Sequence, residues 1–328
     1  VHTYTQMGIN KVHTMTDGTN YLTGVGQVIH IADFNCNTNM PLFNNKTIIN
    51  LDDGGSNEST FTNDSNGNSH CNTVSAFAAG DNPTAYDINS NTVSRFGGVA
   101  PDADLVLSSI PNTEGTYAGD DFGRDLDAAR AAGAVASNNS WSLTKGGSQY
   151  NAAEALAFYN SNKTDFSMDQ IFGFDFAGGS TLVTAQTNAW QTYITALDNF
   201  QNSGVVVFAN GNYNNESDAS FMAALPYFYN GGTDALGNSL EDLSEAWLSV
   251  TYSDFTGADM VDITESEFTI KGNICGKARE YCLTVDDFGL NHSAWYNEST
   301  GANNYLTGQN GSSYGAPMVS GGIALLSQ

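Results

Sequence analysis

Basic residues are scarce in this chain. Ten Lys and Arg stand against 35 Asp and Glu, a formal net charge of −25. Such a surface repels polyanions, which excludes nucleic acid and anionic membranes as partners. No run of eighteen apolar residues occurs, so no segment inserts directly into a bilayer as a helix. No linker, internal repeat, heptad pattern or signal peptide is present either. The 328 residues therefore read as a single domain, 1–328, with a polar N-terminal arm over residues 1–20. Val1 reads as the start of a processed chain. Histidine is rare, at five residues, and cysteine at four.

What is present is concentrated near the C-terminus. Gly311-Ser-Ser-Tyr-Gly-Ala-Pro317 contains a G-x-S-x-G pattern and leads into an apolar, helix-like run. A serine at a helix N-terminus has an exposed hydroxyl and backbone N–H groups able to stabilise an oxyanion. The pattern also fits the nucleophile elbow of α/β-hydrolases, but those place Asp and His after the Ser. Only fifteen residues follow Ser313, none of them Asp or His. The base and its orienting acid must lie upstream.

Of the histidines, His2 and His13 sit in the polar arm and read as solvated. His30 lies within a strand-like run, and His292 within Asn-rich loop sequence. His70 precedes a small-residue helix that ends at Gly80. Gly24–Asp33 is an apolar run ending in a carboxylate, as in a strand buried on both faces of a parallel sheet. An Asp at such a strand end lies where α/β sheets bind ligands. Asp33, His70 and Ser313 then follow one of the three known chain orders of a catalytic triad.

Six segments resemble those of subtilisin-like serine proteases (subtilases), in the family's order. Val28–Asn35 resembles the Asp strand, and His70–Gly80 the H-G-T-H-V-A-G-x-x-A-G helix. Gly98–Val106 resembles G-V-A-P-x-A-x-L, and Val135–Trp141 the V-x-N-x-S-x-G strand. Val205–Asn212 resembles V-V-x-A-A-G-N, and Gly311–Pro317 resembles G-T-S-x-A-x-P. The resemblance implies a three-layer α/β fold, a mainly parallel sheet with helices on both faces. It implies a serine endopeptidase with catalytic Asp33, His70 and Ser313, and Asn212 as oxyanion donor. Substrate-binding residues would be Asn138, Asn139, Ser140, Trp141, Ser142 and Ser108, beside which a polypeptide substrate binds as an extended strand. The alternative is a catalytically silent surface protein on the same fold, acting as an adhesin or spacer.

Departures are local. Phe34-Asn35 follow Asp33 where a small hydroxyl residue and Gly are usual, and Cys71-Asn72-Thr73 replace Gly-Thr-His. Ser142 replaces the usual Gly after Trp141. Cys275–Leu283 resembles the short disulfide loop of autotransporter-type bacterial subtilases, and Leu243–Asp254 a strand of theirs. This implies a Cys275–Cys282 disulfide and an extracellular or bacterial cell-surface location, with a stalk or membrane anchor beyond residue 328. The family's nucleophile helix is followed by further helices, so the end of the domain is expected after residue 328. Cys36 and Cys71 closely follow Asp33 and His70; a hydrogen bond between those side chains would bring the cysteines within bridging range, the alternative being two free buried thiols.

The chemistry requires no cofactor. Asp52-Asp53, Asp102 with Asp104, Asp120-Asp121 and Asp286-Asp287 are candidates for structural Ca²⁺. Without a full calcium-loop motif, a solvated acidic face is the simpler reading. Expected strands are Val25–Ala32, Asp104–Ser109, Val135–Trp141, Val205–Phe208 and Trp247–Tyr252. Expected helices are Asn72–Ala79, Asp121–Ala132, Thr187–Gln201 and Ser313–Ser327.

Overall fold

The computed structural model describes residues 8–33, 43–51, 70–81, 87–88, 91–92, 97–110, 119–145, 147–176, 184–213, 216–255, 267–286, 290–297 and 302–328. The strands of its main sheet are β1 (Val28–Asp33), β2 (Ile48–Asn50), β3 (Asp104–Ser109), β4 (Ala134–Asn139), β5 (Val205–Ala209), β6 (Trp247–Phe255), β7 (Phe268–Ile270) and β8 (Cys282–Asp286). They form one sheet in the order β7-β6-β5-β4-β1-β3-β2, with β8 also pairing β6. Every pairing in it is parallel except β6 with β7. β1 lies between β3 and β4, so the chain crosses over it and opens a crevice at its C-terminal end.

Alternation along β1 sends Ile29, Ile31 and Asp33 to one face and His30 and Ala32 to the other. The first face is covered by α1 (His70–Ala79) and α6 (Ser312–Ser327), which pack on each other. Their contact is built from small residues. A Cβ on Gly321 would stand 2.7 Å from the Ala78 carbonyl and from Val99, so only glycine lets the helices approach this closely. The second face is covered by α2 (Gly119–Ala131) and α5 (Thr184–Gln201), with α3 (Ala152–Asn162) and α4 (Met168–Phe176) beyond. Trp190, Phe172, Phe200, Phe208 and Phe221 are fully buried there.

The expected elements occur with shifted ends. β1 starts three residues late because Gly24 and Gly26 adopt φ of +86° and +77°, and Gln27 N–H closes a turn on Gly24 O. β4 ends at Asn139, and the residues after it turn into the crevice. Helices α3 and α4 were not expected, yet both begin with a reciprocal cap. Asn151 and Glu154 exchange side-chain and backbone bonds, as do Ser167 and Gln170. His292 lies in an antiparallel strand pair, Leu290–Asn297 with Ala302–Gln309, where loop was expected. Such a strand carries no continuous apolar signal. His13 is half-buried rather than solvated, and its Nε2–H donates to Val99 O at 2.7 Å.

Candidate active site

Three elements meet at the C-terminal edge of the sheet. Asp33 ends β1 and is fully buried, a costly position for a carboxylate unless it is bonded. His70, the first residue of α1, answers this. Its Nδ1–H donates to both Asp33 oxygens, at 2.7 and 3.0 Å. That bond fixes the tautomer and leaves Nε2 as the free ring nitrogen. The His70 side chain is 36% exposed. Burial pushes the imidazole down, but the Asp33 charge and hydrogen bond outweigh it and hold the pKa above its ordinary value. The His70 ring lies 6.0 Å from the Tyr314 ring, which packs on Phe77 at 5.3 Å.

Ser313 is the second residue of α6 and is half-buried. Its Oγ–H donates to Ser140 O at 3.3 Å, and Ser140 Oγ–H donates back to Ser313 O at 2.9 Å. The second bond has a local cause. Pro317, four residues on, has no N–H, so Ser313 O lacks its intrahelical donor. Ser140 supplies that donor from outside the helix. Asn138 Nδ2 in turn donates to Ser140 Oγ at 2.9 Å, and its Oδ1 accepts from Ser320 at 3.3 Å.

Asn212 follows β5 and is exposed. Its Oδ1 accepts from Ser312 N–H at 2.8 Å and from Ser312 Oγ–H at 2.9 Å. Ser312 Oγ also accepts from Gly211 N–H at 3.0 Å. The carbonyl end of the amide is thus occupied, and Nδ2 is left to donate. Ser140, Trp141, Ser142, Gln149, Ala209, Gly211, Asn212, Ser312 and Ser313 line a pocket of about 40 Å³.

Three residues expected to bind substrate do other work. Asn138 is fully buried and braces the start of α6. Asn139 points to the aromatic face, donating to Ser137 O at 3.1 Å and accepting from Trp141 Nε1–H at 3.3 Å. Ser108 is buried and bonds His30 Nε2 at 2.8 Å, while Ser137 Oγ bonds His30 Nδ1 at 2.9 Å. With no charge beside it, buried His30 is pushed down to a pKa of about 3. Four pocket residues, Gln149, Ala209, Gly211 and Ser312, were not among the expected site residues. Ser312 occupies the hydroxyl position of the motif before the nucleophile, a signal that was available. Gln149 comes from the hairpin formed by Thr144–Lys145 and Ser148–Gln149, which has no recognisable pattern.

Cys275 and Cys282 form a disulfide with an S–S distance of 2.08 Å. Cys71 is also disulfide-bonded; Cys36 lies outside the described residues. Among the calcium candidates, Asp121 pairs with Arg124 at 2.9 Å and Asp104 accepts from Thr47 N–H at 2.7 Å. Asp52, Asp53 and Asp287 lie outside the described residues. Among the described residues no three His, Cys, Asp or Glu side chains converge as a metal site.

Comparison with curated protein sequences gives no match. Solved structures share the fold at low identity. The prenylagaramide maturation protease PagA aligns with a TM-score of 0.52 at 15% identity, over 97% of this chain and 80% of that one. Fervidolysin from Fervidobacterium pennivorans, a keratinolytic enzyme related to subtilisin, gives 0.53 at 15%, over 98% and 39%. The PatG macrocyclase domain gives 0.53 at 15%, over 97% and 79%. The subtilase family model matches residues 24–328, almost the whole chain, and the chain belongs to the subtilase family.

Proposed function

We propose that this chain is a serine endopeptidase acting through Asp33, His70, Ser313 and Asn212. The observation that carries the reading is the buried Asp33 carboxylate gripping His70 Nδ1, with the His70 ring 6.0 Å from that of Tyr314, the residue after Ser313. In this mechanism the Ser313 hydroxyl leaves Ser140 O and donates to His70 Nε2. The imidazole accepts its proton as Oγ attacks the peptide carbonyl, and Asp33 stabilises the resulting imidazolium. Asn212 Nδ2 and the Ser313 backbone N–H donate to the oxyanion. His70 then protonates the leaving amine, and water releases the acyl group.

The substrate is a polypeptide, laid as an extended strand beside residues 140–142. The chemistry draws on no cofactor. An extracellular or bacterial cell-surface location, of the autotransporter type, is supported by the Cys275–Cys282 loop and by the acidic surface. A fluorophosphonate probe tests the catalytic reading. Labelling that disappears in Ser313→Ala is the expected result. An unlabelled parent would instead favour the adhesin or spacer.

A further inference from the structure

The pocket beside Ser313 has an unusual wall. It adjoins both Ser313 and Asn212, so under the proposed function it lies where the side chain of the residue whose carbonyl is attacked, here called P1, would sit. None of its lining residues is charged. The nearest cation on the same hairpin, Lys145, is turned away and salt-bridged to Asp175 at 2.6 Å. The free space of about 40 Å³ equals roughly three waters, which suits a side chain of two to four heavy atoms.

Gln149 sets the polarity of this wall. It is only 6% exposed. Its Nε2 donates to Ser142 Oγ at 2.9 Å, which narrows the pocket where the family commonly has glycine. Its Oε1 is buried and has no hydrogen-bond partner. That oxygen lies against the backbone of Gly211, whose φ of +118° and missing Cβ allow the approach. A buried acceptor left unpaired is costly, and a ligand donor that reaches it recovers the cost.

We propose that Gln149 makes this enzyme selective for a small, uncharged P1 side chain that donates a hydrogen bond, namely Ser, Thr or Asn. The proposal rests on the reading of Ser313 as nucleophile, so its test is one of binding and not of turnover. Peptides differing only at P1 are titrated calorimetrically into the Ser313→Ala protein. Thr should bind roughly tenfold tighter than Val, and Asn roughly tenfold tighter than Leu. O-methylserine, which accepts but cannot donate, should group with Val.

Adding Gln149→Leu should erase both preferences, while Gln149→Glu, which keeps an acceptor, should retain them. Equal affinities within each pair, a preference that survives Gln149→Leu, or no measurable binding of any peptide overturns the proposal. Fluorophosphonate labelling of the parent reports separately. A P1 preference in an unlabelled protein sinks the catalytic reading and leaves the pocket assignment standing.

Discussion

The two faces of the sheet are packed by opposite means. The face under α1 and α6 is lined mainly by Ala, Val, Ile and Leu, with only a few rings, Phe43, Phe77 and Tyr252, among them. The face under α2 and α5 is filled by interlocking aromatic rings, with Phe172 in contact with Trp190, Phe221, Phe228 and Tyr229. Small residues let backbones come close, and there the backbone and short side chains do the positioning. Ser140, Asn138, Ser312 and Ser320 hold Ser313 and Asn212 through hydrogen bonds near 3 Å. Aromatic residues bury far more area each. One face therefore sets the precision of the site, and the other supplies bulk stability.

The largest expected effect separates chemistry from packing on the first face. Ser313→Ala should lower turnover by roughly 10⁶ while leaving the urea unfolding midpoint in place. Residual cleavage within tenfold of the parent would end the triad assignment. On the second face the reverse is expected. Phe172→Ala should cost about 3–5 kcal/mol in urea unfolding and leave kcat per folded molecule unchanged. A kcat loss in step with stability would show that the two faces are not separable. Asn212→Ala, back at the site, should cost about 10² to 10³ in kcat with little change in KM, read from steady-state kinetics.

The two buried-side histidines sharpen the contrast through pH. His30 on the aromatic face is held neutral, with a folded pKa of about 3 against 6.5 unfolded. Its contribution is present above 6.5 and is lost as pH falls, roughly 2 kcal/mol by pH 5 in chemical denaturation. His30→Gln should flatten that slope. His70 has the opposite sign, since its folded pKa is raised. Its ion pair stabilises fully below 6.5 and fades as pH rises through the folded value. Catalysis needs the neutral imidazole, so kcat should climb over the very range in which this contribution declines. The smallest effect is Ser140→Ala, which leaves Ser313 O without a donor. About 1 kcal/mol of stability and a few-fold in kcat are expected, by thermal unfolding and kinetics.

The first face was far more legible in sequence than the second. Asp33 and His70 end or begin an element, Asn212 and Ser313 lie within three residues of such an end, and short motifs mark these junctions. The parallel sheet was readable from its continuous apolar strands. Helices α3 and α4 went unread because their aromatic residues follow no clear helical period, although Asn151–Glu154 and Ser167–Gln170 marked their starts. Asn138 and Asn139 illustrate a different limit. Adjacent in sequence, they point to opposite faces, and only the strand direction tells which braces α6 and which holds Trp141. Gln149 was invisible because its importance arises from a hairpin fold-back that brings it beside Gly211.

One contact has a kinetic meaning. The Gln328 side chain accepts from Thr23 and Gly24 N–H, the latter 304 residues away in sequence, and donates to Tyr21 O. The catalytic face is thus closed by partners from opposite ends of this stretch of chain. β1 must also insert between two strands made long after it. Loop closure over such separations comes before any reward from contacts, and topologies of this kind fold slowly. During synthesis the aromatic half can condense early, while the site waits for α6. Under the proposed function, activity follows only once the sheet and α6 are assembled, a built-in delay between being made and being able to cut.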